Sequence, residues 1–231
     1  MSHTIMFENV SKQYPIYNGV KSGIKSFVVN LPKSIKELRD HQYKALDNLS
    51  FSVNHGEAFG IMGHNGAGKS TTLELIAGVI KPTSGKVSVK GRIAPLLQLG
   101  AGFHDDLTGM ENILLNGMLL GLRKKEIIKN IEQIKEFADI GDFINQPIRT
   151  YSTGMRARLG FAIAIHTNPD ILLVDELLSV GDSDFQQKCL VKMNEFKRHG
   201  VTIVLVSHEK RIMESFCDRI IQIEHGRLVN N

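Results

Sequence analysis

Apolar residues along this chain recur in two rhythms, and the change from one to the other divides it into segments. Residues 4–10, 44–53 and 58–62 have the length and composition of strands. Residues 73–79 are spaced for a helix, and 86–90 and 92–97 are extended again, which predicts that the last two continue one β-rich lobe. From about Gly102 the spacing turns helical, so 110–120, 124–137 and 153–165 predict three consecutive helices. After Pro169, strands are expected at 171–174, 202–206 and 219–224, with helices at 184–198 and 209–216 between them. The run Ile171-Leu172-Leu173-Val174 has no polar alternation, the pattern of a strand covered on both faces. Strand–helix alternation of this kind predicts an α/β protein with a mostly parallel sheet between helices.

Composition narrows the class. The chain has 231 residues, 42% hydrophobic and 23% charged, ordinary for a soluble globular domain with one good core. No stretch approaches the roughly 20 apolar residues that span a bilayer, so the chain is not expected to be a permease itself. No cationic and apolar leader is visible at Met1, and Cys189 and Cys217 lack metal-binding spacing, so a reduced, cytosolic protein is expected. The formal charge is +4, and residues 18–44 alone account for it, with Lys21, Lys25, Lys33, Lys36, Arg39 and Lys44 against Glu37 and Asp40. The basic character is therefore local and does not indicate a nucleic-acid-binding surface. Within that segment Val20, Ile24, Phe27, Val28 and Leu31 recur at helical spacing until Pro32. Such a basic amphipathic helix suits an anionic membrane surface or a membrane partner, or equally packs on its own domain with its lysines in water.

Chemistry enters with Gly63-His64-Asn65-Gly66-Ala67-Gly68-Lys69-Ser70-Thr71, which joins a strand pattern to a helical one. Three glycines let the loop curl so that backbone N–H groups point inward at phosphates, and the helix beginning near Lys69 adds its positive dipole end. Lys69 would reach the β- and γ-phosphates of a nucleoside triphosphate and Ser70 would give its hydroxyl to Mg²⁺. A second group follows Ile171–Val174, where the strand ends in Asp175-Glu176. Asp175 can hold Mg²⁺, directly or through water, and Glu176 is placed to polarise a water aimed at the γ-phosphate.

Between these motifs Tyr151-Ser152-Thr153-Gly154-Met155-Arg156 opens a helix. Here the chain resembles the ATP-binding cassette proteins, whose L-S-G-G-Q signature this segment matches in part. The other landmarks follow in that family's order: the phosphate loop, Gln98, the signature, Asp175-Glu176, Ser179-Val180-Gly181-Asp182 as the D-loop, and Val206-Ser207-His208. The resemblance implies a P-loop NTPase fold of the ABC type in one domain over 1–231, with a RecA-like core, an antiparallel β lobe and a helical lobe inserted at about 102–166. It implies that Gln98 contacts Mg²⁺ and the attacking water and that His208 contacts the γ-phosphate. Asp182 belongs to the nucleotide-contacting D-loop. Tyr14 matches the aromatic that stacks on adenine, with Tyr17 close enough to compete. Thr153 and Met155 stand where the family has Gly and Gln, while Ser152 and Gly154 keep a hydroxyl and a close backbone approach to phosphate. That departure bears on turnover rather than on the nucleotide site. Two copies would bind two ATP head to tail, each site joining Lys69, Ser70, Gln98, Asp175, Glu176 and His208 of one copy with Ser152 and Gly154 of the other.

Residues 19–25, 96–113 and 151–161 look like the ATPase subunits of bacterial polysaccharide exporters, those of O-antigen most of all, with teichoic-acid and capsule exporters as the alternative. The resemblance implies a homodimer at the cytoplasmic face of the inner membrane, working with two copies of an integral permease. The transported lipid-linked polysaccharide is not expected to touch this chain. Many such ATPases carry a C-terminal glycan-binding domain, which is not expected here because Asn231 follows shortly after the last strand pattern. Ribosome- or DNA-acting cassettes usually pair two cassettes or carry a long coiled coil, and importer subunits lack the 18–44 insertion. No nucleic acid is expected as a partner.

Overall fold

The computed structural model describes residues 3–16, 42–97, 99–175 and 182–229. Tyr17, Gln98, Glu176, residues 179–181 and the basic segment up to residue 41 lie outside the described residues. Of that segment's cations Lys44 is described, and its ammonium pairs with Asp47 at 2.9 Å.

Two sheets form the frame. Strand β1 (His3–Pro15) lies between β2 (Gln42–Asn54) and β4 (Ser84–Val89) in an antiparallel sheet of three. Strand β1 runs five residues beyond its apolar pattern, with register irregularities between Phe7 and Gln13 that keep it paired with β2 as far as Gln42. The second sheet has the order β5 (Ile93–Leu96), β6 (Ile171–Asp175), β7 (Thr202–Val206), β3 (Ala58–Met62), β8 (Arg219–Glu224) and β9 (Arg227–Val229). Its first five strands are parallel and β9 closes the edge antiparallel. The uninterrupted apolar run of β6 is explained by its place. Ile171 and Leu173 face one core cluster and Leu172 and Val174 the other, as do alternate residues of β7. Each fully buried Ile or Leu there contributes about 1.5–3 kcal/mol.

The sheet pairing corrects one expectation. Residues 86–90 and 92–97 do not continue one lobe: β4 joins the antiparallel sheet, whereas β5 crosses to the edge of the parallel sheet beside β6. A short apolar run does not encode its partner. At an edge, Pro95 can be accommodated although it has no N–H to donate. Strand β9 had no expected counterpart; it follows a two-residue turn in which His225 and Gly226 both have positive φ, 48° and 75°, the geometry favoured for tight hairpins.

Helix α1 (Lys69–Ile76) follows β3, and α2 (Gly109–Leu119), α3 (Lys124–Ala138) and α4 (Thr153–Ile165) lie between β5 and β6. Helix α2 starts on a reciprocal cap. Thr108 Oγ1 accepts from the Glu111 N–H at 3.2 Å, and the Glu111 carboxylate accepts from the Thr108 N–H at 2.9 Å. Helices α5 (Ser183–Arg198) and α6 (Lys210–Phe216) cover the parallel sheet. Helix α4 belongs to two cores: Leu159, Ala162 and Ile163 pack in the helical lobe, and Phe161, Ala164 and Ile165 pack against the sheet. It approaches the chain after β5 so closely that a methyl group on Gly160 would stand 2.6 Å from the Gly100 nitrogen. An antiparallel sheet of three, a mainly parallel sheet of six and a helical segment between β5 and β6 thus make up the fold.

Candidate functional site

Strand β3 delivers the glycine-rich loop to the carboxyl edge of the parallel sheet, and α1 starts immediately after it. Gly68 sits in the left-handed region at φ +108°, and a Cβ there would come within 2.5 Å of Leu46 Cδ2 and 2.7 Å of the Ala45 oxygen, so the loop passes β2 only as glycine. The β8–β9 turn supports the loop from behind, with the Gly226 N–H donating to the Ala67 oxygen at 3.0 Å and the His225 ring edge-on to His64 at 5.1 Å.

Lys69 is buried, 7% exposed, and its ammonium donates to the carbonyls of Gly63 at 2.8 Å and His64 at 3.1 Å. Among the described residues no carboxylate pairs with it. A desolvated cation held by neutral carbonyls at a helix N-terminus is an anion receptor, because a phosphate there would restore the charge balance that burial denies. Ser70 Oγ donates to Asp175 Oδ2 at 3.4 Å, joining the first turn of α1 to the end of β6. This hydroxyl and carboxylate, with room before them, are the hard oxygen donors that suit Mg²⁺. The cavity they share measures about 430 Å³; Asn65, Gly66 and Gly68 to Thr71 form its floor, Asp175 one side, and Tyr43 and Ala45 of β2 the other.

The remaining expected residues fall into three groups. His208 stands exposed in the turn after β7, at the same sheet edge as Asp175. Ser152 and Gly154 stand at the start of α4, where the exposed Ser152 caps the helix by accepting from the Met155 N–H at 3.1 Å. Neither lines the cavity. Tyr14 does not line it either; it lies opposite Tyr43 across the β1–β2 ladder, with the Lys12 ammonium 5.0 Å from its ring centre.

Below the signature, the Tyr151 hydroxyl donates to the Phe143 oxygen at 2.6 Å, and burial pushes its pKa up to about 12, so it stays a neutral donor. Arg158, one turn into α4, donates to Asp182 Oδ2 at 2.5 Å and lies over the Phe185 ring at 5.0 Å. Asp182 also caps α5 by accepting from the Phe185 N–H at 2.9 Å. That backbone donor, and after it Arg158, hold its carboxyl below the usual range. Within one chain Asp182 thus ties the start of α5 to the signature helix.

Two residues escaped the sequence reading. Tyr43 carried a usable signal, since it precedes the buried Ala45 by two and a strand puts both on one face. Arg158 carried none, because its partner lies 24 residues away in a segment whose fold had to be known first.

The pattern of the ABC transporter family matches residues 46–179. The chain is 51% identical over 228 residues to the O-antigen export system ATP-binding protein RfbB of Klebsiella pneumoniae, spanning 99% of this chain and 93% of that one. It is 49% identical over 224 residues to the teichoic acids export ATP-binding protein TagH of Listeria innocua, spanning 97% of this chain and 65% of that protein. Among solved structures, the dimeric bacterial ABC transporter cassette MJ0796 superposes with a TM-score of 0.75 and 25% identity over 98% of this chain and 97% of that one. With a buried phosphate-loop lysine, a serine–aspartate pair beside it and this match over most of its length, the chain belongs to the ABC transporter family as an ATP-hydrolysing subunit.

Proposed function

We infer that two copies of this chain close on two ATP molecules, head to tail, and that the closing and reopening power export of a lipid-linked, O-antigen-like polysaccharide through a separate membrane permease. The observation that carries the reading is the split site. The phosphate-loop cavity gathers Lys69, Ser70 and Asp175, while the signature residues Ser152 and Gly154 stand on an exposed helix tip outside it. A second chain placing its signature against the γ-phosphate would complete each site. Bound Mg²⁺ would be held by Ser70 and Asp175, with Gln98 added by resemblance, and would neutralise phosphate charge. Lys69 holds the β- and γ-phosphates, Glu176 takes a proton from the attacking water, and His208 orients the γ-phosphate. ATP contacts made only in the closed pair give it the differential affinity needed to shift a partner between states.

The permease partner is supported by a groove of about 400 Å³ between α1, the segment after β5 and α4. Val79, 70% exposed, and Leu97, Leu99 and Leu120 line its apolar side, and Ser70 and Asp175 reach its polar end. A permease helix seated there would sense the nucleotide site directly. Among the described residues no helix is long and apolar enough to cross a membrane. The proposed place at the cytoplasmic face of the inner membrane rests on the likeness to export ATP-binding proteins. The polysaccharide assignment rests on the 51% identity with the O-antigen export protein and applies less directly to teichoic acid. Deleting the gene should leave lipid-linked glycan in the cytoplasmic leaflet and none at the surface, and re-expression should restore it. Normal surface glycan in the deletion strain would refute the assignment.

A further inference from the structure

Resting on the two-chain reading above, we propose that Asp105 and Asp106 are positioning residues for the signature, gripping it on both sides so that Ser152 and Gly154 are presented in one fixed place. Arg156, in the first turn of α4, pairs with Asp105 at 2.6 Å. Arg149, on the other side of Ser152 in the chain, pairs with Asp106 at 2.7 Å. The signature tip therefore lies between two grips supplied by neighbouring residues of one loop. The backbone repeats the arrangement, since the Arg149 N–H donates to the Asp105 oxygen at 3.0 Å and the Ile148 N–H to the Leu107 oxygen at 2.9 Å.

An exposed ion pair by itself fixes little, because two mobile side chains must be ordered to make it. Here the carboxylates stand on a loop that is already fixed. Asn112 of α2, fully buried, accepts the His104 N–H at 2.8 Å and donates its amide hydrogens to the oxygens of His104 at 3.1 Å and Leu107 at 3.0 Å, clasping the loop against the helix. The Thr108–Glu111 cap holds the loop's end. The same stretch of chain starts at the groove proposed for the permease, which Leu99, Gly100 and Ala101 line. Asp105 follows soon after Ala101, so the loop joins that groove to the signature tip.

The signature meets phosphate only when two chains close, so the test reads assembly. In the full chain carrying Glu176→Gln, Asp105→Arg sets a cation against Arg156. The dissociation constant of the ATP-bound dimer, measured by sedimentation with Mg²⁺, should rise about tenfold, because an exposed pair contributes about threefold and each dimer holds it twice. ATP binding by the single chain, measured at dilution, should stay within about twofold, since Asp105 does not line the phosphate-loop cavity. Exchanging the charges with Asp105→Arg and Arg156→Asp together should return the dimer to within about threefold of the starting chain. An unchanged dimer in Asp105→Arg overturns the assignment. So does a matching loss of ATP binding, which would mark general damage, and so does an exchange no better than the single change, which would move the effect to one side chain. A Glu176→Gln chain that binds ATP without dimerising refutes the two-chain reading and this inference together, whereas dimerisation indifferent to the pair refutes this inference alone.

Discussion

The phosphate loop and the signature both end in a helix N-terminus, yet the two helix starts are built for different duties. Helix α1 begins at Gly68 in the left-handed region with no side-chain cap, so its first N–H groups remain available to a ligand. Its body is anchored by buried Leu73, Leu75 and Ile76. Helix α4 begins at Ser152, whose side chain already caps it, and that start is exposed. Its body is anchored in two cores at once, with Phe161, Ala164 and Ile165 in one and Leu159, Ala162 and Ile163 in the other. One start is a receptor within the chain, and the other is a presented surface. On the proposed function, what separates them is where each meets phosphate: in its own chain or in another.

Chemistry can be removed from the receptor half without removing binding. Glu176→Gln keeps the loop and the Ser70–Asp175 pair but loses the carboxylate proposed to take the water's proton. Phosphate release should fall by about 10²–10⁴, while ATP affinity is retained. The variant should also accumulate as an ATP-bound dimer on size-exclusion chromatography. Release near the parental rate would remove Glu176 from that role.

A mixing experiment separates the halves. Lys69→Ala empties the receptor and Gly154→Asp places a like charge where the signature meets phosphate, so each variant alone should turn over at background. Mixed, the Lys69→Ala chain can lend its intact signature to the other's intact phosphate loop. With random pairing in a two-fold dimer, one site in two is whole in half of the dimers, and turnover should recover to about a quarter of the parent. No recovery would mean that both sites must be whole, and full activity in either variant alone would mean that the two halves do not serve one site.

Much of this comparison was legible in the sequence, for reasons that differ between its parts. The receptor half is local: strand, loop and helix are consecutive, so Gly63 to Thr71 could be read in order. Ser70 and Asp175 lie 105 residues apart, and what joined them beforehand was the Mg²⁺ that each was expected to hold. The signature's position was legible by resemblance, but its mounting was not. That Phe161 and Ile163 serve different cores follows from helical geometry only once both cores exist. The partner of β5 was misread because four apolar residues specify a strand and not its neighbour. Tyr43 lines the cavity through the pairing of β2 with β1, which a strand pattern alone does not specify.

The mounting of the signature also runs through Arg158. Arg158 lies 19% exposed between Asp182 and Asp139 and stacks on Phe185, linking the signature helix to the start of α5. Arg158→Ala should leave ATP affinity unchanged, because it touches nothing in the receptor half. It should cost at most about 1 kcal/mol of stability, since such partly solvated pairs contribute little. Turnover should drop about threefold, through looser presentation of Ser152 and Gly154. Arg158→Lys should recover only part of this, because one ammonium cannot reproduce a fork that spans two carboxylates and a ring. The pH dependence follows from Asp182, whose carboxyl is held below the usual carboxylate range by the Phe185 N–H and then by Arg158. A depressed folded pKa means that the tie is fully present above the unfolded value and is lost only as pH falls through the lower folded one. Between about pH 5.5 and 8 the ratio of parent to Arg158→Ala turnover should therefore stay flat. A ratio that changes across that window in single-turnover phosphate release would assign the effect to a different titrating group and detach Asp182 from the presentation of the signature.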